Sequence, residues 1–226
     1  MSYSVLSGDV ISYTSLDPKS RKLLLEELTL FLKQLDVQFD SFSRIIKGDY
    51  LECVIPQAGE GLRVALAIKG FIKSLAVQAT SNIETSRFRL FKTYGIRIAI
   101  GYGELTHYDP KEGIIDGEAI YLSGRTIAGK TTFNKERITI KNTLFFASDK
   151  TDLNERFEVI FNLLDVLLAK ATARQCEVLY LKLLGLSEEE ISAKLEIGQS
   201  AVNQHSTSVG WSAIESAVDY FQKILS

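Results

Sequence analysis

The chain reads as an α/β (α+β) protein: a mixed sheet covered by helices, followed by a small all-α unit. Short β-rich runs alternate with amphipathic stretches over residues 1–150. Two of those runs meet at a Lys47-Gly48-Asp49 corner, which is hairpin chemistry and disfavours a purely doubly wound sheet. The last quarter carries short apolar-periodic segments separated by Gly-Leu-Ser and Ile-Gly breaks, the pattern of packed short helices.

Residues 4–6 and their neighbours predict a first strand ending at Gly8-Asp9. Between 17 and 39, Leu23, Leu24, Leu28, Phe31, Leu32 and Leu35 recur at helical spacing behind an Asp17-Pro18 start. Residues 42–46 and 50–55 form the two arms of the hairpin, and Pro56 ends it. A second helix is expected over 61–77, then a polar loop over 80–86. Residues 94–100 predict a strand, with Gly101 and Gly103 bending the chain after it. A helix starts near Gly117, a strand follows near 144–147, and a connecting helix covers 152–170. The expected organisation is an α/β domain over 1–150, that connecting helix over 151–170, and a helical module over 171–226.

With 46% hydrophobic residues over 226 positions, the chain has enough apolar surface for a substantial core. A net charge of −2 excludes a generally basic nucleic-acid coat. Cys53 and Cys176 lie far apart, and His107 and His205 are the two histidines, so neither a disulfide framework nor a Cys/His metal cluster is expected. No apolar run reaches membrane length, which predicts a cytoplasmic protein with no membrane partner.

In the C-terminal module Val178, Leu179, Leu183 and Leu184 line one helix, Ile191 and Leu195 a second, and Val202 a third that Ser200 is placed to cap. Ser187 and Glu190 form a capping-box pair at the start of the second. Arg174, Glu177, Val178, Leu179, Gly185, Ser187, Glu190, Ile191, Leu195, Ile197, Ser200, Val202 and His205 resemble the helix-turn-helix of LuxR-type regulators and sigma-factor region four. That resemblance implies DNA as a partner, read by Ser200, Asn203, Gln204 and His205, with a homodimer doubling the contacts. From Asp165 onward, however, five Lys/Arg stand against eight Asp/Glu, a net charge of −3 that offers little grip on phosphate.

In the first domain the expected topology brings Asp9 and Asp49 together. Two carboxylates on neighbouring strands suit a hard cation such as Mg²⁺, which keeps waters and nucleotide phosphates as its other ligands. GDVISYT, KGDYLECVIP, GIRIAIGYGEL and GEAIYLSGR resemble segments of the class III nucleotidyl cyclase superfamily, and most closely the SatD family, which joins such a domain to a C-terminal helix-turn-helix. The resemblance implies a ferredoxin-like sheet, Mg²⁺ on Asp9 and Asp49, and nucleotide phosphate on Arg125. Tyr121 replaces the family's ribose-positioning asparagine, and Ile114 replaces its purine-selecting aspartate. Cyclisation depends on orientation, so these losses imply a degenerate, ligand-sensing domain.

The expected function is therefore a DNA-binding transcriptional regulator with a cyclase-like sensor for a nucleotide or other small ligand. The alternative is a Mg²⁺-dependent enzyme acting on a nucleoside triphosphate. A third reading comes from GRTIAGKT at 124–131, which fits a P-loop pattern with Lys130 on the phosphates. That motif needs a buried strand before it and a long helix after it.

Overall fold

The computed structural model describes residues 1–80, 86–129, 140 and 142–226. The strands are β1 (Ser2–Val10), β2 (Phe42–Lys47), β3 (Tyr50–Ile55), β4 (Ile96–Asp109), β5 (Ile114–Gly117) and β6 (Leu144–Ser148). The helices are α1 (Pro18–Phe39), α2 (Gly61–Ser74), α3 (Ser86–Tyr94), α4 (Glu118–Gly129), α5 (Thr151–Lys170), α6 (Ala173–Leu183), α7 (Glu188–Leu195), α8 (Gln199–Val209) and α9 (Trp211–Leu225).

β1 sits in the middle of the sheet because its residues are buried on both faces. It pairs antiparallel with β3, from Ser4 opposite Ile55 to Asp9 opposite Tyr50. On its other side it pairs antiparallel with β4, from Ser2 opposite Glu104 to Val10 opposite Ile96. β2 completes the order β2-β3-β1-β4, which with α1 and α2 is the βαββαβ arrangement of a ferredoxin-like sheet. β6 runs parallel to β4, making the sheet mixed, and β5 pairs with the far end of β4.

Local chemistry explains the ends of α1. Asp17 accepts a hydrogen bond from the Ser20 backbone N–H at 2.8 Å, and Pro18 opens the helix. Leu24, Leu28, Phe31, Leu32 and Leu35 face the core, where Phe31 stacks on Phe71 of α2 with ring centroids 4.1 Å apart. On the opposite face α4 lies directly against the sheet. Ser123 of α4 shares a 2.8 Å hydrogen bond with Ser7 of β1, and Ala119 packs with Val5 and Val54.

Several sequence expectations change here. Gly101 and Gly103 lie inside a strand that continues to Asp109, so they do not bend the chain after it. Their role is close approach. A Cβ on Gly101 would sit 2.0 Å from the Ala119 carbonyl oxygen, and one on Gly103 would sit 2.5 Å from the Glu118 carboxylate. α3 begins at Ser86 and occupies the stretch ahead of β4; its two buried anchors, Phe88 and Phe91, are too few to give a periodic signal. The rest of the expected polar loop, 81–85, falls outside the described residues. β5 is four residues long, which hides it from any alternation test. α2 stops at Ser74, because Leu75 is already extended. Gly198 rather than Ser200 holds the N-cap position of α8, which places Ser200 in the first turn.

The C-terminal helices do not stand apart. One continuous hydrophobic core runs from Leu6 of β1 to Leu225 of α9. α2 is sandwiched between the sheet and α6, with Tyr180 of α6 edge-on to both Phe31 and Phe71. Phe146 of β6, Phe157 and Phe161 of α5 and Phe221 of α9 form an aromatic knot beside it. A buried polar network ties the same seam. Lys69 is fully buried and donates to the Ile96 carbonyl at 2.8 Å and Thr143 Oγ1 at 2.6 Å, with the Asp165 carboxylate 3.5 Å away. Lys73 donates to the carbonyls of Thr93 and Leu168. Desolvation pulls Lys69 down to about 8, against the attraction of Asp165.

Within the tail, α6, α7 and α8 bury Val178, Leu181, Ile191 and Val202 in a small core of their own. Capping boxes at Thr172/Gln175 and Ser187/Glu190 start α6 and α7. Ser192 donates to the Ile197 carbonyl at 2.6 Å and so closes the link between α7 and α8. Among the described residues, no helix is long and apolar enough to cross a membrane.

Candidate functional site

The register of β1 determines what surrounds its C-terminal end. Asp9 lies directly opposite Arg97 on β4 and Tyr50 on β3. The Val10 N–H donates to the Asp49 carbonyl at 2.7 Å, so Asp49, in the β2–β3 turn, abuts the end of β1. The two aspartates named from the sequence are thus neighbours in the fold. Asp49 is exposed at the corner, while Asp9 is half-buried.

The alternation of β1 and β4 accounts for the chemistry at Asp9. Leu6 and Val10 face the helical core, so Ser7 and Asp9 face the α4 side. Ile96, Ile98 and Ile100 likewise point into the core and leave Arg97 on the face that carries Asp9. Arg97 Nη2 donates to Asp9 Oδ2 at 3.1 Å. Asp9 Oδ1 is buried and has no hydrogen-bond partner among the described residues. Burial raises the Asp9 carboxyl above its ordinary value; Arg97 opposes this and the nearby Asp49 charge adds to it. Tyr13 also belongs to this corner. Its hydroxyl is raised first by burial, with Arg21 and Asp49 both close enough to act on it.

Sequence reasoning missed Arg97. The signal was available, because a charged residue between three buried isoleucines on a strand must occupy the face opposite to theirs.

The donor set suits a small divalent cation. Mg²⁺ takes one or two carboxylates and fills its remaining positions with water and phosphate oxygen. Asp9 and Asp49 supply that number, and the unsatisfied Oδ1 is a lone-pair donor without a competing proton donor. No cluster of three or more His, Cys, Asp or Glu side chains occurs among the described residues, so an all-protein metal cage is absent from them.

Arg125 lies elsewhere. Ala119, Ser123 and Ile127 are the buried positions of α4, which leaves Arg125 on its exposed side. Its guanidinium lies over the Tyr121 ring, 5.7 Å from the centroid, and the Tyr121 hydroxyl donates to Asp116. Tyr121 is therefore engaged within its own helix end and β5. Ile114 is 40% exposed at the start of β5. Lys130 lies outside the described residues. The segment before it argues against a P-loop: Glu118–Gly129 is one helix, so Gly124 sits mid-helix where a phosphate-wrapping loop would have to be.

On α8, Ser200, Asn203 and Gln204 are exposed and His205 is half-buried. Glu188 at the start of α7 is held below its ordinary value by Lys182, with a smaller contribution from Asn203.

No protein-family model and no curated protein sequence matches the chain. Among solved structures it is similar to a bacterial light-regulated adenylyl cyclase, at 14% identity and a TM-score of 0.41, over 64% of this chain and 74% of that one. It is also similar to the dimeric guanylyl cyclase domain of the RhoGC fusion protein from the aquatic fungus Blastocladiella emersonii, at 19% identity and a TM-score of 0.41, over 55% and 71%. A third similar structure is the guanylyl cyclase Cya2, at 13% identity and a TM-score of 0.36, over 55% and 68%.

Proposed function

We propose that the α/β part of the chain is a cyclase-like domain that binds a nucleoside triphosphate with Mg²⁺ at the Asp9–Asp49 corner. The observation that carries this reading is the backbone contact that sets Asp49 beside the end of β1, near enough for its charge to act on Asp9, whose Oδ1 is buried and unsatisfied. Bound there, Mg²⁺ would neutralise phosphate charge and polarise the phosphoryl group. The chain's own contribution is positional. The paired ends of β1 and β3 hold the carboxylates, and Arg97 offsets part of their mutual repulsion. Arg125 faces solvent on α4, on the side of the sheet that carries Asp9, and is the chain's candidate cation for the phosphates. With Tyr121 tied to Asp116 and Ile114 in place of a base-selecting carboxylate, the site favours binding over rapid turnover.

Titrating the purified protein with a fluorescent triphosphate analogue, with and without Mg²⁺, tests this, and chromatography of the same mixtures reports turnover. Mg²⁺-dependent binding that weakens at least tenfold in Asp49→Asn is expected. Binding unchanged in both Asp9→Asn and Asp49→Asn would overturn the assignment.

A second reading concerns DNA. The exposed polar side chains of α8, following two capped short helices, favour docking of α8 in a major groove, with Ser200, Asn203 and Gln204 toward the bases and the half-buried His205 beside them. In the combined proposal the nucleotide is the signal and DNA contact the output. A salt-sensitive mobility shift with genomic fragments supports it, and no shift at low salt and high protein concentration rejects it.

A further inference from the structure

α5 carries two faces. Leu153, Phe157, Phe161, Leu164, Asp165 and Leu168 are buried against the body of the protein. At 100° per residue, Asp152, Glu155, Val159, Leu163, Val166 and Lys170 fall within an arc of roughly 80° on the opposite side. All six are exposed, and the three apolar ones strongly so: Val159 63%, Leu163 62% and Val166 51%. Isolated apolar side chains on a surface need no explanation. Three in succession on one helical stripe, bounded by acid at one end and a lysine at the other, have the pattern of a helix–helix seam.

We propose that this stripe is the dimer interface of the protein, pairing with α5 of a second copy in antiparallel orientation. The charge order selects that occupant. An antiparallel two-fold that sets Val159 against Val166 of the second copy also centres the two Leu163 side chains. The same register places Glu155 opposite Lys170 of the second copy, and symmetry repeats the pair at the other end. A parallel pairing instead sets Glu155 on Glu155 and Lys170 on Lys170, which is repulsive at both ends. Asp152 lies one turn beyond Glu155 but pairs with Arg156 of its own helix at 3.9 Å, which leaves Glu155 as the acid that faces Lys170. The seam is short, about 22 Å from Glu155 to Lys170. One helix pair lies near or below the lower limit for stable complexes, about 1,200 Å² of total buried area. The dimer is accordingly concentration-dependent, with a dissociation constant on the order of micromolar. This interface does not involve Asp9, Asp49 or Arg125, so it stands or falls separately from the nucleotide reading.

Sedimentation velocity of the full chain between about 1 and 200 µM tests it, with circular dichroism to verify folding of each variant. Wild type is expected to pass from monomer to dimer across that range. Leu163→Glu should shift the transition beyond the highest concentration. Glu155→Lys and Lys170→Glu should each weaken association about tenfold, and the double variant should restore it, because both pairs re-form with reversed sign. A wild-type protein that stays monomeric throughout overturns the proposal. So does a dimer indifferent to Leu163→Glu, which would use another surface, or a double reversal that fails to recover.

Discussion

Asp9 and Arg97 face each other across β1 and β4, joined by a 3.1 Å ion pair that satisfies one carboxylate oxygen and leaves the other buried without a partner. The pair does not fully compensate for desolvation, since the Asp9 carboxyl remains raised. A raised acid holds its proton more tightly in the folded state than in the unfolded one. Its contribution to stability is complete below the ordinary value of 3.8 and is lost as pH climbs through the raised value. Asp9→Asn removes that loss. At pH 7 the variant should melt above wild type. The difference should vanish in acid, where Asp9 is protonated. Melting curves from pH 3 to 8 measure both; a variant less stable than wild type at pH 7 contradicts the account.

The same protonation competes with a cation. Mg²⁺-dependent nucleotide binding should weaken as pH falls through the raised Asp9 value, and hold steady from there up to pH 8. Binding measured at fixed Mg²⁺ across that range checks it. Constant affinity down to pH 4 would remove Asp9 from the ligand set.

Gly101 and Gly124 give a matched pair of substitutions. Alanine at Gly101 would put its Cβ 2.0 Å from the Ala119 carbonyl oxygen and 2.7 Å from the Ser123 nitrogen, both backbone atoms that cannot rotate away. α4 would have to lift from the sheet, at a cost on the order of 3 kcal/mol. At Gly124 nothing lies within 4 Å of an added Cβ, and Gly124→Ala should stabilise by up to ~1 kcal/mol through helix propensity. Urea titration of the two variants should move the midpoint in opposite directions.

Lys69→Met should be far more damaging than its conservative volume suggests. It leaves the buried Asp165 carboxylate with its Thr143 hydrogen bonds but no counter-charge, and the Ile96 carbonyl without its side-chain donor, at the seam between α2, β4 and α5, which costs ~3–5 kcal/mol for a broken buried pair. Wild type carries a pH signature here. Lys69 falls from 10.5 to about 8 on folding, so between those values the unfolded chain binds the extra proton, and this group makes stability rise with pH. The variant should lack that rise.

If α8 contacts DNA, the dependence of affinity on salt should be shallow. α8 itself offers no lysine or arginine, Lys182 of α6 is held by Glu188 at 2.9 Å, and α7 ahead of α8 adds the exposed Lys194. One or two phosphate contacts per protomer give a log–log slope of roughly −1 to −2. A slope several times steeper would place the contacting cations elsewhere on the chain.

Periodic or capped segments were legible from sequence: α1 behind Asp17-Pro18, the β2–β3 hairpin, α5 by its apolar period alone, and α7 behind Ser187 and Glu190. Their signals are local. The adjacency of Asp9 and Asp49 could also be inferred, because a hairpin after a crossover helix returns beside the first strand. What escaped depends on partners distant in sequence. Gly101 resembles a bend until α4 is laid on it, and Lys69 resembles a surface lysine on an otherwise apolar helix until Thr143 and Asp165 surround it. Arg125 shows the same dependence: its place in a motif says nothing of its surroundings, and in the structure its guanidinium lies over the Tyr121 ring.

The enclosure of α2 sets a limit on how this protein can change. Twelve of its fourteen residues are buried, and Gly70 lets α6 approach so closely that a Cβ would lie 3.2 Å from the Cys176 carbonyl. A helix covered on both sides by different parts of the same chain cannot accept a substitute for either one. Exchange of the C-terminal helices for an unrelated set would strip α2 to water. Sheet, α2 and α6 are therefore one indivisible unit, and removing the C-terminal helices removes the support of the sheet's own helix.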